Sequence, residues 1–138
     1  MNLASFRSGV TSAITGTLTD VTMTGYLLSP IEPPCFEIDF PDDTFLVNRT
    51  AGGKTTEFSC VVRGYVQFGD PQDGQATLDG WLSAGNDNVQ ELLEADRTLS
   101  GAVDDLYVRT VSAPLRIQVD NTVFLCAEWT VDVIVSNS

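Results

Sequence analysis

The segment VFLCAEWTVDVIV, residues 123–135, alternates between apolar and polar residues from Ala127 to Val133. From Ala127 to Val135 every second residue is apolar, and three polar residues stand between them: Glu128, Thr130 and Asp132. Successive side chains of a β-strand point to opposite sides, so this period of two predicts a strand with one buried and one wetter face. A half-buried strand of this kind is typical of an antiparallel sheet.

A second long strand is predicted over EFSCVVRGYVQF, residues 57–68. One face of it carries Phe58, Cys60, Val62, Val66 and Phe68, and the other carries Val61, Arg63, Tyr65 and Gln67. Gly64 interrupts the apolar face, which indicates a bulge or a close backbone approach at that point.

Shorter strands are predicted around these two, over residues 35–40, 44–48, 106–111 and 115–119. Asp120-Asn121 is a suitable hairpin turn before the terminal strand. Thr50 to Thr55 (TAGGKT) is expected to be a flexible tip, and Pro41-Asp42-Asp43 a turn. The Thr-rich residues 17–29 fit either a loop or a weak strand.

Three helices are predicted. In the first, Asn2 to about Thr15, apolar residues recur at steps of three, four and four, and Asn2 is a suitable N-cap: Leu3, Phe6, Val10, Ile14. The second begins at Asp70-Pro71 with an acidic N-cap and a proline at its first position. Asn88 caps the third. The inward residues of the last two are Leu78, Trp81, Leu82, Val89, Leu92 and Leu93.

These elements predict an α+β fold. We expect one mostly antiparallel sheet, with the N-terminal helix and a two-helix insert packed on one face. The chain shows no internal repeat or linker, so residues 1–138 are expected to form a single domain.

Charge and composition exclude several classes of function. The chain has 7 basic and 19 acidic residues, a net charge of −12, and no histidine. Sequence-specific DNA binding is disfavoured because it needs clustered cations, and histidine-dependent catalytic triads and zinc sites are excluded. Cys35, Cys60 and Cys126 lie in apolar segments and are expected to be buried free thiols in a reducing cytosol. The N-terminal residues lack a signal-peptide pattern, and no segment has the apolar length of a membrane helix.

Other chemistry-bearing patterns are weak. Gly52-Gly53-Lys54-Thr55 is similar to the end of a phosphate-binding loop, but the glycine that should precede it is replaced by Asn48 and a strand follows. Asp42-Asp43 and Asp104-Asp105 are adjacent pairs whose carboxylates should diverge, as in a solvated turn. The acids at 70, 73 and 79 lack the EF-hand spacing. We therefore expect no enzyme activity, metal or cofactor.

The second half of the chain resembles the tail terminator proteins of long-tailed (siphovirus) bacteriophages, especially those of actinobacterial hosts. Two segments carry the resemblance: LLEADRTLSGAVDDLYV, residues 92–108, and FLCAEWTVDVIV, residues 124–135. The matching positions are Leu92, Leu93, Glu94, Ala95, Asp96, Thr98, Leu99, Gly101, Val103, Leu106, Val108, Ala127, Trp129, Val131 and Val133. The N-terminal helix and the prolines at 33 and 34 are also similar to the family in position.

The residues themselves give the segment after the third helix a structural role. Asp96 is suited to capping a turn, Gly101 to a positive φ, and Leu99 and Val103 to anchoring the turn in the core. We expect a rigid connector that docks the helices on the sheet.

The resemblance implies a ring, commonly a hexamer, at the head–tail junction of the virion, assembled in the host cytoplasm. The ring would cap the tail tube protein, end tube growth and present a surface to the head–tail connector protein. DNA would pass through its lumen without specific binding, because an acidic lining repels phosphates. Three alternatives stay open: a head–tail connector or completion protein, a tail tube subunit, and a monomeric ligand-binding domain.

Two groups of residues are candidates for contacts with neighbouring subunits or the tube. Apolar residues crowd a proline-interrupted region that one small sheet would leave partly uncovered, and they fit an interface or a core equally: Ile31, Phe36, Phe40, Phe45 and Leu46. Scarce bases could pair with a neighbour's acid or remain solvated surface charges: Arg49, Lys54, Arg97 and Arg116.

Overall fold

A computed structural model describes residues 2–41, 45–50, 53–68 and 71–137. Within these residues the chain has the predicted α+β fold, with seven strands in one sheet and three helices. The elements in chain order are α1 Leu3–Thr15, β1 Thr22–Met23, β2 Cys35–Asp39, β3 Leu46–Thr50, β4 Gly53–Gln67, α2 Pro71–Leu82, α3 Val89–Glu94, β5 Asp105–Val111, β6 Leu115–Val119 and β7 Thr122–Asn137.

The sheet is built around one long antiparallel pair, β4 and β7. Their register runs from Lys54 opposite Asn137 to Gln67 opposite Phe124. Strands β3 and β2 pair in succession with the outer edge of β4, and β5 and β6 pair in succession with the outer edge of β7. Only β1 is parallel to its neighbour, β2, so the predicted mostly antiparallel sheet is confirmed.

All three helices pack on the same face of this sheet, called here the covered face. Its strand residues are those predicted from the alternation, with Trp129, Val131 and Val62 each 1% exposed or less. The helices fill the other side of the same core with Phe6, Val10, Ile14, Leu78, Trp81, Val89 and Leu93. The predicted one-sided helical layer is therefore confirmed.

Gly64 lies where the sequence predicts a close approach. A Cβ atom there would come within 2.6 Å of Phe36 Cε1 and 3.0 Å of Trp81 Cζ3. The rings of Phe36 and Trp81 lie 4.5 Å apart between centroids, directly over the glycine. The missing side chain thus lets α2 approach β2 and β4.

Two of the predicted helix caps are present as hydrogen bonds. Asn2 Oδ1 accepts from the backbone N–H of Ser5 at 3.0 Å, and Asn88 Oδ1 accepts from that of Glu91 at 2.8 Å. Each satisfies a donor that the first helical turn leaves unpaired. The third predicted cap, Asp70, and the turn residues Asp42 and Asp43 lie outside the described residues.

The connector predicted after α3 has the expected form. Asp96 accepts hydrogen bonds from the backbone N–H groups of Thr98 and Ser100, at 3.2 and 2.8 Å. Gly101 has φ +93°, and Leu99 and Val103 are 7% and 4% exposed. Leu99 packs closely on α1. A Cβ atom added to Gly9 would lie only 2.9 Å from the Cβ atom of Leu99. All four predicted roles in this turn are confirmed.

Candidate functional site: the open sheet face and the β3–β4 hairpin

The second face of the sheet, called here the open face, has no helix on it among the described residues. Cross-strand register brings polar side chains together in its middle. Arg63 of β4 lies between Glu37 of β2 and Glu128 of β7, and Ser59 lies opposite Asp132. The middle of the open face is therefore organised by ion pairs rather than by apolar packing.

Arg63 is the centre of this ion-pair network. Its Nη1 donates to Glu37 Oε2 and its Nε donates to Glu128 Oε2, both at 2.7 Å, and Nη2 lies 3.6 Å from Asp39 Oδ2. The Tyr65 hydroxyl also donates to Glu37 Oε2 at 2.7 Å. The backbone N–H of Leu28 donates to the other oxygen of the same carboxylate at 3.2 Å. Glu37, only 4% exposed, thus has a partner on each oxygen.

The network raises the pKa values of two of its members, Arg63 and Tyr65. Burial opposes the positive charge of Arg63, but the hydrogen bonds to Glu128 and Glu37 outweigh it, so the pKa of Arg63 is raised. Burial and the Glu37 carboxylate both raise the pKa of Tyr65. Arg63 therefore stays cationic and Tyr65 neutral at any physiological pH, and neither is poised for proton transfer.

A second polar group lies nearer the β3 end of the open face. Asp132 Oδ1 accepts from Ser59 Oγ at 2.6 Å, and its Oδ2 lies 3.1 Å from Arg109 Nε. The charge of Asp132 raises the pKa of the exposed Tyr107. These side chains line a surface groove of about 680 Å³ together with Leu46 and Ile134. Ser59 and Asp132 are thus a hydrogen-bonded pair without a histidine beside it, since the chain contains none.

The two outer edges of the sheet differ at the β3 end. On β5, the backbone N–H of Val108 donates to Glu94 Oε2 and the carbonyl of Leu106 accepts from Arg97 Nε, each at 3.1 Å. On β3, no described side chain bonds the outer edge, and Leu46 and Val47 are 60% and 47% exposed. An unguarded edge strand can accept another chain, so β3 is the stronger candidate for a contact surface.

The apolar interface candidates separate into core and surface. Phe36 is 0% exposed beneath Trp81 and Trp129, so its candidacy for an intermolecular contact was wrong. Phe40 and Phe45 are half-buried around Phe58, with ring centroids 5.9 and 4.7 Å from it. Ile31 is half-buried beside a second apolar cluster of Cys35, Tyr65, Phe124 and Cys126. Leu46 alone is largely exposed, and sequence analysis missed its neighbour Val47.

The basic residues that are candidates for intermolecular contacts also differ in their surroundings. Arg97, a candidate for pairing with a neighbour's acid, forms a two-pronged ion pair with Asp105 of its own chain, at 2.8 and 2.9 Å. Arg116 lies over the ring of Phe68, 4.6 Å from its centroid. Arg49 and Lys54 face each other across the β3–β4 hairpin, both exposed, and neither has an ion pair within the described residues.

The three cysteines are free, as predicted, and buried. Burial raises the pKa of Cys60 to about 12 and the pKa values of Cys35 and Cys126 to about 11. Since the thiolate is the nucleophile and the metal ligand, these protonated thiols are packing residues.

The remaining chemical candidates are accounted for by local contacts. Asp105 binds Arg97, whereas Asp104 accepts a hydrogen bond from the Ser136 hydroxyl, so the two adjacent carboxylates diverge as expected. Of the segment Gly52-Gly53-Lys54-Thr55, the last three residues begin strand β4, where Gly53 pairs with Thr50, and Gly52 lies outside the described residues. Among the described residues, no group of carboxylates and thiols is arranged to hold a metal ion.

Comparisons with known proteins leave the chain without an assigned family. No protein-family model matches the sequence, and no curated protein is significantly similar to it.

Within the described part of the chain, none of the helices combines the length and apolarity needed to cross a bilayer.

Proposed function

We propose that this chain is a structural virion protein, a tail terminator that forms a ring on the end of a phage tail tube. The observation that carries the proposal is the exposed β3 edge, where Leu46 and Val47 lie beside two cations, Arg49 and Lys54, that form no ion pair with any described residue. An edge strand with apolar side chains is a liability in a monomer and is useful in an assembly.

The resemblance of residues 92–108 and 124–135 to tail terminators supports the same function. Those segments form the turn at Asp96, the β5 strand and the β7 strand, which together join the helical layer to the sheet. In the proposed ring they keep each subunit rigid while other surfaces make contacts. The ring caps the tube, ends its polymerisation and offers a joining surface to the head connector.

The net charge of −12 supports the passage of DNA. DNA carries a dense line of phosphates, and a protein without clustered cations gains nothing from counterion release. A ring whose lumen is lined by carboxylates repels the phosphates and lets the DNA slide through. A ring structure with a basic or neutral lumen would contradict this part of the proposal.

The test is to add the purified protein to tubes polymerised from the tail tube protein of the same phage. Negative-stain images should show a cap at one end of each tube, and tube growth should stop once the protein is added. A protein that ignores tubes but binds portal–adaptor complexes would instead be a head-side connector. A monomer that binds neither would return the ligand-binding class to consideration.

A further inference from the structure

Two regions of this chain carry charged residues of opposite sign. The β3–β4 hairpin, residues 45–56, contains two cations, Arg49 and Lys54, and no acid. The helical insert, residues 71–96, contains no cation and six acids: Asp73, Asp79, Asp87, Glu91, Glu94 and Asp96. A protein of net charge −12 thus has one small basic hairpin and one strongly acidic helical insert.

The hairpin cations stand apart from the other five basic residues, which are engaged within the chain. Arg63, Arg97 and Arg109 form ion pairs with acids. Arg7 and Arg116 lie over the rings of Tyr26 and Phe68, at 4.4 and 4.6 Å from the centroids. Within the described residues, Arg49 and Lys54 have neither kind of partner, so their charge is available to another molecule.

The insert offers complementary groups. Asp79 on α2, Asp87 before α3 and Glu91 in the first turn of α3 are all exposed, and no ion pair involves them in the part of the chain that the structure describes. Glu94 and Asp96 already bond their own chain, Glu94 to Val108 and Asp96 to Thr98 and Ser100.

One chain cannot bring the two regions together. Lys54 and Gly64 are ten positions apart on the same strand, about 33 Å at the rise of an extended chain. The ring of Trp81, near the end of α2, packs against Gly64, so α2 lies on the far half of β4 from the hairpin. Complementary charges that cannot meet within one molecule can meet between two.

We propose that the β3–β4 hairpin of one copy docks on the α2–α3 insert of a second copy. Arg49 and Lys54 then face Asp79 and Asp87, and the exposed side chains of Leu46 and Val47 pack at the same contact. The inference rests on the proposed ring, because joining two different surfaces gives the head-to-tail contact that closes into a ring.

The test is sedimentation velocity over a range of concentrations, at low and high salt. R49E/K54E should weaken self-association at least tenfold at low salt, and high salt should weaken the wild type, since exposed charges are screened. R49Q/K54Q should have a smaller effect in the same direction. The matched control for R49Q/K54Q is T19E/Q118E, which lowers the net charge by the same two units at exposed positions and should leave association near the wild-type value.

A charge exchange makes the test specific. Adding D79K/D87K to the R49E/K54E chain should restore association, because the exchanged charges at the proposed contact are again opposite in sign. Thermal melting of every variant verifies that the fold is intact.

Each contrary result has a definite meaning. If R49E/K54E assembles as the wild type does, the inference is overturned and the proposed ring stands. If the variant assembles normally but no longer caps tubes, the hairpin contacts the tube and the inference is likewise overturned. A wild-type protein that is monomeric at every concentration and ignores tubes would overturn both.

Discussion

The two faces of the same sheet are stabilised in different ways. On the covered face, Phe36, Trp129 and their neighbours exclude water against three helices, and the contacts are apolar and close. On the open face, Glu37, Arg63 and Glu128 hold three strands together through charge. The difference teaches that apolar packing on the covered face makes the fold, while the open face and the β3 edge are the surfaces available for the proposed assembly.

The comparison predicts that the largest loss of stability follows truncation of a side chain on the covered face. Phe36→Ala should lower the free energy of unfolding by about 3–5 kcal/mol, because it removes a fully buried ring and leaves a cavity. Leu46→Ala, at an exposed position, should change it by less than about 0.5 kcal/mol. Urea unfolding at one fixed protein concentration measures both. Equal effects would mean that Phe36 is not a core residue.

The open face should be next in sensitivity. Arg63→Met should cost about 3 kcal/mol, because Glu37 would remain buried without its cation. Arg109→Met should cost less than about 1 kcal/mol, since the Arg109 side chain is 54% exposed. Chemical unfolding of both variants tests the ranking. Adding Glu37→Gln to Arg63→Met should recover part of the loss, and a further loss would contradict the charge explanation.

Two glycines, Gly64 on the covered face and Gly80 on α2, allow a further comparison of a packed position with an open one. Gly64→Ala should cost about 1–3 kcal/mol by overpacking against Phe36 and Trp81. At Gly80, on α2, an added Cβ would meet no neighbouring atom within 4 Å. Gly80→Ala should therefore stabilise the protein by about 0.5–1 kcal/mol through helix propensity. Thermal melting gives both signs, and a destabilising Gly80→Ala would show that α2 is packed on both sides.

A further prediction, on pH dependence, concerns a thiol of the covered face. Cys60 has a pKa near 9.0 in the unfolded chain and about 12 when folded. Between these values the unfolded chain loses the proton and the folded chain keeps it, so stability falls as pH rises above 9. At pH 10 the loss from this thiol should be about 1 kcal/mol relative to pH 7.

The variant Cys60→Ala isolates that effect. Its stability at pH 7 should be lower than that of the wild type because of lost packing, but its decline from pH 7 to pH 10 should be about 1 kcal/mol smaller. Urea unfolding midpoints at the two pH values provide the measurement. An identical decline in both proteins would rule out Cys60 as a source of the alkaline sensitivity.

Much of the fold could be predicted because strong local patterns coincide with tertiary structure. The alternation around Trp129 and the helical spacing at Phe6 and Val10 identify the residues of the covered face directly. Asp96, Leu99 and Gly101 have side-chain types that suit one turn, and that turn is present. Strand β1 could be left only as an alternative, because two residues give no period.

The parts that could not be predicted depend on register and on chain path. The sequence assigns Arg63 and Glu128 to polar faces of two strands, but only the register places one beside the other. The alternation places Tyr65 on the wetter face, yet it is 3% exposed, because Phe124 and the chain near Leu28 and Ile31 cover that end. The prolines near Phe36 suggest a surface position for this residue. They give no indication that its strand is central to the core.

The most direct test of the central claim, that this chain assembles into a ring, is its mass in solution by light scattering across a concentration series. The chain has a mass of 14.9 kDa, so a hexamer, six times that value, has a mass of about 89 kDa. The account predicts a discrete particle of several subunits at high concentration or on tube ends, closed rather than growing. A constant mass of one subunit at every concentration, unchanged by added tail tubes, would contradict it.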